Sequence, residues 1–411
     1  MLSSSILVIG RHLVTASLDA GHPTAVLVRH AAAADPGKAK LMEDFESRGA
    51  RLVYGDINDH EGLVAAIKQA DVVISAVGHS SPEEVESQLK IVAAIQEAGS
   101  VKRFLPSEYG CDVELAEKML EPARSILGAK VRVREATRAA GIPYTIISSN
   151  WFQGFLLPRA GNPEANGPPD NRITIFGNGE SPVFFVNEKD VGAVAIKAVE
   201  DPRTLNKILN LRPKETLCSL NQLVSLWENK IGKTFEKTYV CEQELVKKVQ
   251  ESPFPLNLQL AMVHATLLVA GKAMLMEEAA ATGASTSEGV EAMDLYPNMN
   301  YVTVEQYLDD VVAKSEPGAV VAAADCLGEP NPRSRRPWHP HRSPAAASHL
   351  QALLAVLQPV STPRARMPRH GRRISLASPV ASQIRARGGT LRQERPAAAV
   401  LAGTRASGAL L

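Results

Sequence analysis

The stretch that most constrains this 411-residue chain is Ser5 to Arg29, which reads as strand, helix, strand. Ile6, Leu7, Val8 and Ile9 form a short apolar run ending at Gly10, and Thr24 to Val28 form a second run ending at Arg29. Between them Leu13, Val14, Ser17 and Leu18 recur at helical spacing; Gly21 closes that helix and Pro23 stops it continuing. A β-α-β unit of this kind opens a dinucleotide-binding fold, whose first turn normally carries glycines so that backbone amides can approach a pyrophosphate. Here Gly10 runs straight into Arg11 and His12, with no G-x-G-x-x-G. After the second strand, where an acidic residue would hold the ribose hydroxyls of NAD, stands Arg29. An arginine there suits the 2′-phosphate of NADP, although an ordinary surface arginine fits the position equally well.

The alternation continues. A helix over Lys38 to Ser47 leads into a strand at Leu52 to Tyr54, and a helix over Glu61 to Gln69 leads into the β-rich run Val72-Val73-Ile74. A helix over Glu83 to Ala98 precedes Val101 to Leu105 and the turn Pro106-Ser107-Glu108-Tyr109-Gly110; a helix over Pro122 to Ala140 precedes Tyr144 to Ile147. Strands and helices alternating at this spacing predict an α/β fold, a doubly wound, Rossmann-like parallel sheet of about six strands within residues 1–150.

Beyond Asn150 the pattern becomes mixed. Short strands are expected at Arg172 to Phe176, Val183 to Val186 and Ile208 to Leu211, with helices over Glu188 to Val199, Ser219 to Ile231, Glu242 to Gln250 and Asn257 to Leu268. Residues 151–315 are therefore expected to form a smaller mixed α/β substrate region over the carboxyl ends of the strands. From Glu316 the chain is rich in Ala, Pro, Ser and Arg and lacks a sustained period, so residues 316–411 read as a disordered tail.

That tail also conceals a charge asymmetry behind a formal net charge of +1. It holds 14 Arg, no Lys and 4 acids, whereas residues 1–315 hold 31 bases against 40 acids. The mildly acidic body argues against nucleic acid as a partner. The tail could meet nucleic acid or an acidic membrane, but the absence of lysine favours an incidental extension. Cys111, Cys218, Cys241 and Cys326 are scattered, with neither C-x-x-C nor metal spacing, which points to a reducing compartment and no zinc site. There is no signal-like N-terminus and no apolar run long enough to span a bilayer, so a cytoplasmic address without membrane insertion is the expectation.

Lys130, Arg134 and Arg138 fall one turn apart on one face of the helix over 122–140. Neighbouring positive charge would lower the pKa of the Lys130 ammonium and let it serve as a base near neutral pH. Spacing alone favours the alternative, a solvated basic face. Asn150 and Trp151 follow the sixth strand at the mouth of the sheet, where a tryptophan serves packing more often than substrate binding.

The run Val101-Lys102-Arg103-Phe104-Leu105-Pro106-Ser107-Glu108-Tyr109-Gly110, followed by Glu121-Pro122-Ala123, Lys130 and Gly141-Ile142-Pro143-Tyr144-Thr145, carries a resemblance. So do Gly21-His22-Pro23-Thr24, Asp71 to Ser75, Asp201 to Lys207, Leu226-Trp227-Glu228 and Leu295-Tyr296-Pro297. Together they resemble the plant isoflavone reductase-like proteins, which include phenylcoumaran benzylic ether and pinoresinol-lariciresinol reductases, within the NmrA-like atypical short-chain dehydrogenases. The resemblance covers about residues 5–314. It implies an NADPH-dependent reductase of phenylpropanoid-derived phenolics. Lys130 falls on the family's catalytic lysine, Arg29 with Lys38 or Lys40 on its 2′-phosphate contacts, and Gly10, Gly78, Pro106, Ser107 and Asn150 near its cofactor. The implied partner is a small phenolic substrate, with a homodimer left open.

Departures from the family pattern bear on function. The family carries a Gly-rich loop of about six more residues after Gly10, and the segment Gly271 to Glu288 and the tail after Lys314 also differ. Three readings follow. In an active reductase, Lys130 removes a phenol proton, a benzylic ether opens, and NADPH delivers hydride to a quinone-methide-like carbon. The others are a non-catalytic dinucleotide sensor and a splice or gene-model variant that cannot bind cofactor.

Overall fold

The computed structural model describes residues 3–9, 12–33, 36–270 and 289–315. The expectations for Gly10, for Gly271 to Glu288 and for the tail lie outside these residues.

The six expected strands form as β1 (Ile6–Ile9), β2 (Thr24–Val28), β3 (Arg51–Tyr54), β4 (Val72–Ser75), β5 (Arg103–Leu105) and β6 (Thr145–Ser148). The first five make one parallel sheet in the order β3-β2-β1-β4-β5. A parallel bridge between Phe104 and Tyr144, with the Phe104 amide donating to the Pro143 carbonyl at 2.8 Å, brings β6 alongside β5. The resulting Rossmann-like order changes direction at β1 and β4, the switch point where ligands of such sheets bind.

Alternation along β1 explains the two covered faces. Ile6 and Val8 join a core with α1 (His12–Asp19), α3 (Pro36–Ser47) and the helix Glu188–Ala198. Leu7 points to the other face, into a core with α4 (His60–Ile67) and α6 (Gln88–Ala98). A strand buried on both faces needs an unbroken apolar run, which is what Ile6 to Ile9 supplies. Each such side chain contributes roughly 1.5–3 kcal/mol on burial.

Several details differ from the sequence reading. A short helix α2 (His30–Ala33) precedes α3. The single helix expected over 83–98 is two, α5 (Pro82–Glu86) and α6, meeting at Ser87. The Ser87 hydroxyl donates to the Glu84 carbonyl at 2.6 Å, the kind of local bond by which serine competes with helix continuation. The helix expected over 257–268 is Leu256–Val263, continued by a π-helical turn His264–Ala270.

Beyond β6 lie β7 (Trp151–Phe152), β8 (Arg172–Phe176), β9 (Pro182–Val186), β10 (Lys207–Asn210), β11 (Leu217–Ser219), β12 (Glu236–Val240) and β13 (Gly289–Glu291). β8 pairs with β12 and β9 with β7 and β11, so the Gly177-Asn178-Gly179 turn joins strands that are not each other's partners. β10 pairs parallel with β6, and β13 with β10. Strands from both sides of residue 150 thus pair in parallel. α7 (Ala123–Ala139) packs in a third core with the helices Leu220–Ile231 and Leu256–Val263.

Candidate active site

The loops that leave the carboxyl ends of β4, β5 and β6 are fastened to one another. After β5, the Ser107 hydroxyl donates to the Val77 carbonyl at 2.8 Å, and the Ser107 amide donates to Oε1 of the buried Gln88 at 2.7 Å. These bonds hold Pro106 and Ser107 against the loop that carries Gly78. The Gly110 carbonyl accepts from the Ser149 and Asn150 amides at 3.0 and 2.8 Å, and the Gly110 amide donates to Ser149 Oγ at 3.0 Å. Gly110 has φ +134°, a conformation that side chains rarely adopt. Asn150 sits at φ 56°, and its Nδ2 donates to the Leu211 carbonyl at 3.0 Å. Gly78, Pro106, Ser107, Asn150 and Lys130 are therefore gathered in one linked set of loops and helix.

Lys130 enters from the middle of α7. Its side chain is buried, 7% exposed, and Nζ donates to the main-chain carbonyls of Glu108 and Tyr109 at 3.3 and 3.2 Å. One turn further along, Arg134 is buried in a bidentate ion pair with the equally buried Glu108, Nε to Oε2 at 3.2 Å and Nη2 to Oε1. Arg138 is exposed and turns to the Tyr144 hydroxyl at 3.0 Å. The face read as solvated is thus an internal one at its first two positions.

The electrostatic reading of Lys130 also needs correction. Its amine lies below the ordinary lysine value, but burial is the cause, opposed by Cys111 and Glu108. Arg134 is engaged by Glu108, so its charge is compensated. Burial pushes the Glu108 carboxyl up while the hydrogen bonds and charge of Arg134 pull it back; bidentate contact with a guanidinium favours the ionised form of the pair. A neutral amine has two N–H donors, and the two carbonyls take both, which leaves its lone pair to accept a proton.

Sequence reasoning missed Glu108 and Gln88 as organisers, and also His79 and Cys111. His79 follows Gly78; the surrounding protein first, and Lys130 second, hold its imidazole down at about 4. Burial pushes the Cys111 thiol up to about 12. The usable signal was the i, i+4 spacing of Lys130 and Arg134 opposite a single acid in the turn after β5. Trp151, read as packing, stacks on Phe155 with centroids 6.0 Å apart and donates to Thr266 Oγ1 at 2.9 Å.

The other end of the carboxyl edge is different. β1 ends at Ile9 and α1 begins at His12, so two residues connect them. Arg29 is exposed at the end of β2, in a hollow of about 490 Å³ also lined by His30, Tyr54, Gly55, Asp56 and Asp59. His30 and Tyr54 stack there at 5.3 Å. Both acids are engaged locally: Asp56 accepts from the Asn58 amide at 2.8 Å, and Asp59 caps α4. Lys38 is half-buried and Lys40 exposed on α3, and neither lines the hollow. At the switch point, Ser75 pairs in register with Ile9, and its buried hydroxyl has no partner. Among the described residues no group of His, Cys, Asp and Glu could hold a metal ion, and no helix is long and apolar enough to cross a membrane.

The NmrA-like family model matches residues 8–308. Phenylcoumaran benzylic ether reductase Betv6 of Betula pendula is 47% identical over 304 residues, 74% of this chain and 95% of that protein. The crystal structure of isoflavone reductase matches with a TM-score of 0.68 at 40% identity, covering 75% of this chain and 99% of the other. The binary complex of leucoanthocyanidin reductase with NADPH from Vitis vinifera matches at 0.67 and 33%, with 75% and 99% covered. The parallel sheet, the loops assembled at its carboxyl edge and these likenesses agree: the chain belongs to the NmrA-like family, among the isoflavone reductase-like proteins.

Proposed function

We propose that this chain is an NADPH-dependent reductase of phenylpropanoid-derived phenolics whose affinity for the cofactor is weakened at the pyrophosphate. The observation that carries the reading is the buried Lys130 amine with both of its N–H donors engaged by carbonyls. Relatives described as acting on benzylic ethers, or as isoflavone and leucoanthocyanidin reductases, support the substrate class. A phenol is an acid that a lowered amine can deprotonate.

The residues present fit the cofactor at its two ends. The unpartnered Ser75 hydroxyl marks a polar demand at the switch point, and Arg29 beside the stacked His30 and Tyr54 suits an adenosine bearing a 2′-phosphate. Arg29, Ser75, Ser107 and Asn150 would hold the group, with Gly78 and Pro106 shaping the loops and Lys38 or Lys40 adding positive charge near the phosphate. When bound, NADPH supplies hydride. The chain's own part is to bind and orient the phenol, to exclude water with the loops around Pro106 to Gly110 and Asn150, and to take the phenolic proton on Lys130 Nζ.

The two-residue connection between Ile9 and His12 favours a second reading, a chain that folds but binds no cofactor. An NADPH titration paired with a turnover assay on phenylcoumaran, pinoresinol and isoflavone substrates separates the cases. Binding with turnover supports the reductase, binding alone a dinucleotide sensor, and neither a form that cannot take the cofactor.

A further inference from the structure

The cradle around the Lys130 amine is built from main chain, and main chain alone does not explain why a loop should stop at the right place. The loop Pro106 to Gly110 is fixed at one end through Ser107 and at the other through Gly110. Its middle, which supplies the two carbonyls, is held by a side chain. Glu108 reaches across to Arg134, one turn from Lys130 on the same helix. The connection closes a ring: α7, the Lys130 amine, the Glu108 carbonyl, the Glu108 carboxylate, the Arg134 guanidinium, and α7 again. Both members of the pair are nearly inaccessible, with side chains 4% and 6% exposed. A planar guanidinium in bidentate contact permits little rotation of its partner.

Resting on the reductase reading, we propose that Glu108 and Arg134 are positioning residues for Lys130. They fix the two carbonyls that bind its amine, and as a compensated pair they set its protonation. Neither touches substrate in this role. The Glu108 carboxylate acts on Lys130 directly, raising it against the effect of burial, and Arg134, one turn along the same helix, compensates that carboxylate.

Other charged groups nearby do not duplicate it. Facing Lys130 are Cys111 and His79, whose side chains are held neutral at working pH. Facing Arg134 are Asp112 and Glu114, the latter at 3.5 Å and half exposed. On α5, Glu86 is engaged by Arg132 on the outer side of α7. The ionisable side chains of α6, Lys90 and Glu97, are exposed, and the helix Leu256–Val263 carries none.

The test measures the titration of Lys130 itself in the full chain, by the carbon-13 shift of its Cε, assigned with Lys130→Met. Glu108→Gln leaves Arg134 uncompensated and should move the midpoint down. Arg134→Gln leaves the Glu108 carboxylate uncompensated and should move it up. Each shift is expected to be about 1 pH unit or more for a unit charge at this range. The double variant, which restores a neutral hydrogen-bonded pair, should return close to the parent, and Arg134→Lys should recover the charge but not the bidentate geometry. Where turnover is measurable, Arg134→Lys should lower kcat with little change in KM, and the limb of kcat/KM should follow the Cε titration. Removing one partner of a buried pair is strongly destabilising, so the double variant and Arg134→Lys carry the test if either single variant fails to fold. Midpoints that move in the same direction, or not at all, or a double variant that fails to return toward the parent, overturn the proposal. Opposite shifts in a chain without turnover would sustain the positioning pair and remove the reductase reading instead.

Discussion

The strands β1 and β5 belong to one parallel sheet, with β6 bridged to β5, yet the connections that follow them differ in length. After β5 and β6, Ser107 to Gly110, Ser149 and Asn150 are cross-linked by side-chain and main-chain bonds around one buried amine on α7. After β1, two residues carry the chain into α1, whose first turn contains no acid. The end that would perform proton transfer is complete, and the end that would grip a pyrophosphate is short. A parallel sheet tolerates this because its strands are held by ladders and by two apolar faces, not by the turns. Binding and chemistry can therefore fail separately in this fold.

The largest effect should come from lengthening the short turn. Amide bonds to a charged group contribute roughly 1.5–3 kcal/mol each, so supplying two or three of them should tighten NADPH binding by about 10² to 10⁶. Insertion of a Gly-rich turn after Gly10, followed by calorimetric titration, checks this. Tight binding and full turnover in the chain as it stands would erase the contrast between the two ends.

The chemical end is tested next, by Lys130→Ala in the loop-lengthened form. A positioned base typically contributes about 10² to 10⁴ in rate, with NADPH affinity unchanged. Because burial lowers the amine's pKa, turnover should rise with pH through a midpoint below the ordinary lysine value. Unchanged turnover in the alanine form would take Lys130 out of the reaction. A smaller effect is expected at the hollow beside β2. Arg29→Ala should weaken NADPH by roughly 10- to 100-fold, the loss of one charge-assisted contact, and leave NADH binding as it was. Equal losses for the two cofactors would show that Arg29 meets no 2′-phosphate.

Much of this was legible in the sequence where local pattern decides. The inner strands β1 and β4 lie where their apolar runs lie, because a strand buried on both faces has no other way to be written. Lys130 was legible as a residue but not in its setting. Spacing placed Arg134 beside it as a like charge, whereas the structure gives that charge to Glu108, 26 residues away in sequence. No periodicity reports a partner brought in by the fold. The return of β10 to pair with β6 was hidden for the same reason, since Ile208 to Leu211 looks like any short strand and its register with Thr145 to Ser148 is set only by tertiary pairing.

The smallest expected effect lies at the opposite edge of the sheet, and it asks whether the short turn reflects a weakened β1. Before β1, the Asp71 carboxylate accepts from the Ser5 amide at 3.0 Å and the Ser5 hydroxyl at 2.8 Å, and pairs with Lys102 at 2.8 Å. It thereby ties together the starts of β1, β4 and β5. The Lys102 and Ser5 bonds hold its pKa at about 2, below an ordinary 3.8. A carboxyl depressed in the folded state lends stability that is present above its unfolded pKa and is lost as pH falls from about 4 toward 2. Asp71→Asn should therefore flatten the acid limb of stability between those values. With Lys102 largely exposed, the loss near neutral pH should be about 1 kcal/mol or less, a melting shift of about 2–4 °C at most. Scanning calorimetry from pH 2 to 7 reads both. If NADPH binding in the Asp71→Asn form, with the turn lengthened, matches that of the lengthened parent, β1 is anchored from its amino end and the short turn is a defect of ligand contact alone. If affinity falls with stability, the two edges are coupled through β1, and the weakness belongs to the strand as much as to its turn.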